Sequence, residues 1–120
     1  KQLRFRFLED HEKIIVGEVM YIDNFGNIVT NINKSFFDQN MINFSEFKIK
    51  ARNITFNKIH KYYTDVVTDW ENEAQFQGKP VVIFNEADLL EISIYKGSKN
   101  NGGNTLYGMN LGEKVYIEFE

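Results

Sequence analysis

Residues 21 to 32 read Y-I-D-N-F-G-N-I-V-T-N-I, two β-prone runs flanking the short polar segment D-N-F-G-N. A glycine among asparagines is ordinary turn chemistry. A phenylalanine at the middle of the turn is not, because an exposed ring carries apolar surface that something has to cover. Two readings stand side by side. In one, the segment is a hairpin turn whose Phe25 packs on a neighbouring loop. In the other it is a ligand platform. Asp23 accepts hydrogen bonds from an ammonium or a ribose, and Phe25 stacks on a planar base. The Asn27 amide then matches the donor and acceptor edge of adenine.

Elsewhere the chain offers little chemistry. Tyr62 and Tyr63, in Y-Y-T-D-V, are a second aromatic candidate, for which strand packing is the plainer reading. The two histidines, His11 and His60, lie in polar surroundings and read as solvated surface groups. No H-x-x-x-H spacing, Cys-His pair or Ser-His-Asp set can be assembled. Gly102 and Gly103 lack the strand and helix that frame a phosphate loop. Glu71 and Glu73 sit in a charged stretch and read as solvated carboxylates. The chain is therefore expected to hold no catalytic set and no metal site.

The elements that must position D-N-F-G-N follow from periodicity. Leu3, Phe5 and Phe7 alternate with Arg4 and Arg6, the period of a half-buried strand. Glu9 to Lys13 reads as a turn. Ile14 to Ile22 predicts a long strand in which Gly17 marks a bulge or a close backbone approach. Ile28 to Ile32, Phe47 to Ala51, Ile54 with Phe56, Val81 to Phe84, Leu89 to Tyr95 and Val115 to Phe119 predict further strands. Ser35 to Phe44 lacks alternation and predicts a short helical turn. Gly97 to Gly103, G-S-K-N-N-G-G, reads as the most flexible loop. No segment sustains a helical period, so the expectation is an all-β domain with little helix, a barrel or sandwich of about seven strands.

The whole chain agrees. Its 120 residues suit a single domain spanning residues 1–120 with a real core. Aromatic residues make up 15%, with 11 Phe and 6 Tyr, which favours sheet. The net charge of −3 and isoelectric point near 5.4 argue against a nucleic-acid binder such as an OB-like barrel. Mean hydropathy is −0.41, and no apolar run approaches the roughly 18 residues of a membrane helix. Cysteine is absent, which removes disulfides and thiolate metal sites and fits a cytoplasmic location. The sequence begins at Lys1 rather than Met, as a segment of a longer chain would.

G-E-V-M-Y-I-D-N-F-G-N-I-V-T-N-I resembles the signature G-x-V-x-x-x-D-x-F-G-N-x-x-T-N-I of the C-terminal domain of the S-adenosylmethionine hydroxide adenosyltransferase family, which includes the bacterial fluorinase and chlorinase. Further stretches align in the same order. Tyr63 to Val66 looks like Y-x-D-V, and Gly78 to Asn85 looks like G-x-x-x-x-x-x-N. Leu90 to Ile94 resembles L-E-I-A-V, and the G-M-N-L-G-E-K-V near the end is similar to G-L-x-x-G-D-x-V. The resemblance covers roughly residues 15 to 120 and implies an antiparallel β-barrel of about seven strands.

It also implies a task. Full-length members cleave S-adenosylmethionine as substrate, with no cofactor, as hydroxide or a halide attacks C5′ of the ribose and methionine leaves. The hydrolytic members yield adenosine and L-methionine. They are homotrimers whose sites lie between the N-terminal domain of one subunit and the C-terminal domain of its neighbour. The catalytic Asp, Arg and His lie in the N-terminal domain, which has no counterpart here. Carried over, Asp23 holds the methionine amino group, Phe25 packs on adenine, Asn27 bonds its edge and Tyr63 forms the other wall. Asn85 and Glu86 approach the methionine carboxylate, and the backbone at Tyr95 and Lys96 approaches adenine. The family has Ser after that Asn, and the fluorinase then has Arg. Glu86 and Ala87 stand here instead, and a Glu repels a carboxylate unless it points away. Lys96 or Lys99 would then have to compensate. The competing reading is a non-catalytic β-barrel that binds a nucleoside or mediates oligomerisation.

Overall fold

The computed structural model describes residues 4–7, 13–96 and 108–120, with 4–7 and 13 through their backbone alone. Leu3, His11, Lys99 and the Gly97 to Gly103 loop fall outside the described residues. Eight strands form in chain order: β1 Arg4–Phe7, β2 Lys13–Ile22, β3 Ile28–Asn33, β4 Phe47–Ala51, β5 Ile54–Phe56, β6 Pro80–Phe84, β7 Leu89–Ile94 and β8 Lys114–Phe119. One α-helix, α1 Lys34–Met41, and two 3-10 segments, Tyr63–Val66 and Trp70–Phe76, complete the described elements.

Seven strands hydrogen-bond in the order β5-β4-β8-β2-β3-β7-β6, every pair antiparallel. The two ends of this path come back towards each other. The chain leaving β5 runs beside β6, where His60 pairs with Ile83 in parallel and the His60 N–H donates to the Val82 carbonyl at 2.7 Å. The result is the expected all-β fold, a nearly closed antiparallel barrel. His60 is accordingly half-buried at the seam rather than solvated.

β2 is the corner strand. Its Lys13–Glu18 half pairs with β8, while Val19, Tyr21 and Ile22 pair with β3. The short β1 lies along the first half of the edge that β3 takes further on. The register shift falls between Val19 and Tyr21, not at Gly17. Gly17 serves the close approach instead. A Cβ there would stand 2.4 Å from Ile32 Cγ1 and 2.7 Å from Ile32 Cδ1.

Alternation puts Val115, Ile117 and Phe119 inside the barrel and Lys114, Tyr116 and Glu118 outside. They meet Ile15, Val19, Ile28, Ile32, Ile49, Leu90 and Ile92 in one core. Each such side chain contributes about 1.5–3 kcal/mol on leaving water. Helix α1 closes one end. Asn33 caps it by accepting the Phe36 N–H at 2.7 Å. Its buried Phe37 meets Phe47, Phe84 and Phe119 with ring centroids 5.3, 5.5 and 5.5 Å apart. Among the described residues no helix is long and apolar enough to cross a membrane.

Tyr62 and Tyr63 do not lie on a strand. Tyr63 opens a 3-10 turn that packs on β6, because Asp65 accepts the Tyr62 N–H at 3.0 Å and winds the chain locally.

Candidate functional site

The D-N-F-G-N turn joins β2 to β3, and its two polar side chains build it. Asp23 Oδ1 accepts the N–H of Phe25 at 2.8 Å and of Asn27 at 3.0 Å. Asp23 Oδ2 accepts from Asn27 Nδ2 at 2.9 Å. Gly26 takes φ +81°, where a side chain is disfavoured. Asn27 Oδ1 then reaches across to the end of β7 and accepts the Ile94 N–H at 2.8 Å. Asn27 keeps one N–H and one lone pair for a ligand, and Asp23 keeps acceptor capacity.

Phe25 sits on this braced turn 59% exposed, and Tyr21 and Met20 at the end of β2 are also exposed, at 58% and 41%. The plain hairpin reading, in which Phe25 packs on a neighbouring loop, is not what the structure shows.

Tyr63 and Tyr95 meet at the same end. Their ring centroids lie 5.3 Å apart with a 36° tilt. The Tyr63 hydroxyl donates to the Ile94 carbonyl at 3.3 Å and accepts the Lys96 N–H. Lys96 adopts φ +46°, strained for a residue with a side chain. Tyr95 is buried, its N–H on the Lys79 carbonyl at 2.9 Å and its carbonyl on the Gly78 N–H at 2.7 Å. The structure thus brings together Asp23, Phe25, Asn27, Tyr63, Tyr95 and Lys96, all around the last residues of β7.

Glu73 joins them. It accepts from Lys96 Nζ at 2.6 Å and from Gln77 Nε2 at 2.9 Å. The Lys96 hydrogen bond, then that of Gln77, holds its carboxyl below the ordinary range. The same bond raises Lys96. Burial, then the charge of Glu73, pushes the Tyr95 phenol up. Glu73 is therefore a paired carboxylate, not the solvated one expected from its charged neighbourhood.

Asn85 and Glu86 stand elsewhere. They form the β6–β7 hairpin, where Asn85 Oδ1 accepts the N–H groups of Ala87 at 2.9 Å and Leu89 at 3.1 Å. Glu86 is exposed. Leu89 and Ile94 are five positions apart on β7, about 17 Å at strand rise. The Asn85–Glu86 hairpin thus lies at the Leu89 end of β7 and the D-N-F-G-N turn at its Ile94 end.

One face of β7 connects the two ends. Leu90 and Ile92 enter the core, so Glu91 and Ser93 take the other face. Glu91 pairs with Val29 of β3 across the ladder. Glu91 Oε1 accepts from Asn85 Nδ2 at 3.0 Å, and Glu91 Oε2 accepts from the Ser93 hydroxyl. Tyr95 follows two residues on. The track Asn85, Glu91, Ser93, Tyr95 thus runs from the hairpin to the D-N-F-G-N end. Sequence reasoning treats Glu91 and Ser93 only as strand residues; their alternation with Leu90, Ile92 and Ile94 is the available signal.

A groove of about 610 Å³ lies away from the turn. It opens at the α1 end between Phe37, Phe47, Ile59 and Phe84, with Lys34 and Asp38 on its rim already paired at 2.6 Å. Size alone does not make it the reactive site, and the braced aromatic end carries the better recognition chemistry. Among the described residues no cluster of His, Asp and Glu could hold a metal ion.

The chain resembles an uncharacterized conserved protein from Thermotoga maritima, with a TM-score of 0.64 and 23% identity over 98% of this chain. It also resembles a conserved hypothetical protein from Thermus thermophilus, with a TM-score of 0.57 and 20% identity over 85% of this chain. At such identities the likeness concerns the fold. The chain spans 40% and 34% of those two chains. No curated protein matches it. Residues 17–116, from Gly17 through the D-N-F-G-N turn to β8, match the model of one family, and the chain belongs to it: the C-terminal domain of the S-adenosylmethionine hydroxide adenosyltransferases.

Proposed function

We propose that the D-N-F-G-N end of the barrel is the adenosyl-binding half of an enzyme that cleaves S-adenosylmethionine with water to adenosine and L-methionine. The carrying observation is Phe25, a ring held outward on a turn that Asp23 and Asn27 brace and left 59% exposed. A buried counterpart would serve the fold; this one supports stacking on a base. The Asn27 amide reads the adenine edge with its remaining N–H, Tyr63 forms the second wall, and the Tyr95–Lys96 backbone meets the base beside it. Asp23 takes the ligand's ammonium. The nucleophile-activating groups belong to another domain, and the site is completed at a subunit interface, with a homotrimer as the proposed assembly and the cytoplasm as its location.

The reading has two consequences for the 120-residue chain. It binds adenosine weakly, because missing walls leave the ordering and desolvation costs of binding set against few contacts. It does not cleave S-adenosylmethionine. Incubation followed by chromatography tests the second point, and steady release of adenosine and methionine overturns it. Calorimetry tests the first, and a dissociation constant below the micromolar range shows a self-contained site.

A further inference from the structure

The groove at the α1 end belongs to neither part of the adenosyl site, and its two walls differ in charge. Its floor is apolar, made by Phe37, Phe47, Ile59 and Phe84. Its volume of about 610 Å³ is that of a small-molecule cavity. On the α1 side, Lys34 stands with two acids. Asp38 pairs with it at 2.6 Å. The hydrogen bond and charge of Asp38, then the charge of Asp88, hold Lys34 above its ordinary range. That wall balances a cation against acids of its own.

The opposite wall is the segment 57–61, N-K-I-H-K, which leaves β5 and runs beside β6. It carries Lys58, His60 and Lys61 and no acid. Lys58 and Lys61 are exposed, and neither forms an ion pair among the described residues. The described partner of Lys61 Nζ is the neutral Tyr62 ring, with its centroid 5.4 Å away. Between the two lysines, the His60 N–H ties the segment to the Val82 carbonyl at 2.7 Å, so both hang from an anchored backbone. We propose that this groove is a second binding site, for a small anion with an apolar body, such as an aryl or alkyl carboxylate. The three rings and Ile59 take the body, and Lys58 and Lys61 take the charge. Apolar walls lower the local dielectric and strengthen that contact. A neutral molecule of the same shape would forgo it, and a cation would be repelled by the 57–61 wall. The site stands independently of the adenosyl platform.

The test titrates the 120-residue chain with anilinonaphthalene sulfonate as the anionic probe and phenylnaphthylamine as its neutral counterpart. Fluorescence should show the sulfonate binding about fivefold to tenfold tighter than the amine, the worth of two partly exposed charge contacts. The sulfonate should also shift the backbone amides of Ile59, His60 and Phe84. Neither readout needs a variant. Lys58→Gln combined with Lys61→Gln should abolish the preference while leaving the affinity for the amine and the melting temperature unchanged. Equal affinity for the two probes, a preference that survives the double substitution, or amide shifts confined to residues outside the groove overturns the proposal.

Discussion

Asn27 Oδ1 accepts the Ile94 N–H at 2.8 Å while Asn27 Nδ2 donates to Asp23 at 2.9 Å. One side chain thus ties the β2–β3 turn to the end of β7. Asn27→Ala leaves the Ile94 donor unpaired in a part-buried place. It should lower stability by about 1–3 kcal/mol, seen as a melting temperature several degrees lower. Asn27→Gly keeps the backbone freedom of the turn but also lacks the acceptor. It should be equally destabilised, and a Gly variant as stable as the wild type would show that the cross-link is idle.

Phe25 makes the opposite prediction. Exposed as it is, its ring contributes little to the fold. Phe25→Ala should change stability by less than about 0.5 kcal/mol, measured by denaturant titration, yet remove the response of the chain to adenosine. Loss of both together would mean that the ring is structural.

The Glu73–Lys96 pair gives a pH dependence. The folded-state carboxyl of Glu73 titrates below its ordinary 4.5. Its contribution is therefore present above 4.5 and lost as the pH falls through the folded value. The wild type should melt above Glu73→Gln at neutral pH, and the gap should close in acid. A gap that persists or widens in acid contradicts the pairing.

Gly17→Ala tests the corner of β2. The new methyl would lie 2.4 Å from Ile32 Cγ1, and Ile32 is fully buried. A loss of about 1–3 kcal/mol is expected, as for other overpacked cores. Unfolding in denaturant measures it.

The strands were legible because each shows one wet and one dry face: Val115, Ile117 and Phe119 inside, Lys114 and Glu118 outside. The turn was legible from Gly26 and its polar neighbours. The 3-10 segments were not, since Asp65 and Asp69 wind them through local hydrogen bonds that leave no hydrophobic period. The union of Asn27, Tyr63 and Lys96 depends on contacts 31 to 67 residues apart, and local pattern carries no such information. The resemblance supplied those partners.

The central claim is that adenosine docks on the D-N-F-G-N end. The most direct measurement is amide-resolved NMR of the 120-residue chain during adenosine titration. The account predicts shifts at Phe25, Asn27, Ile94 and Lys96, with the groove at Phe37, Ile59 and Phe84 silent. Shifts confined to that groove, or none at saturating adenosine, would contradict it.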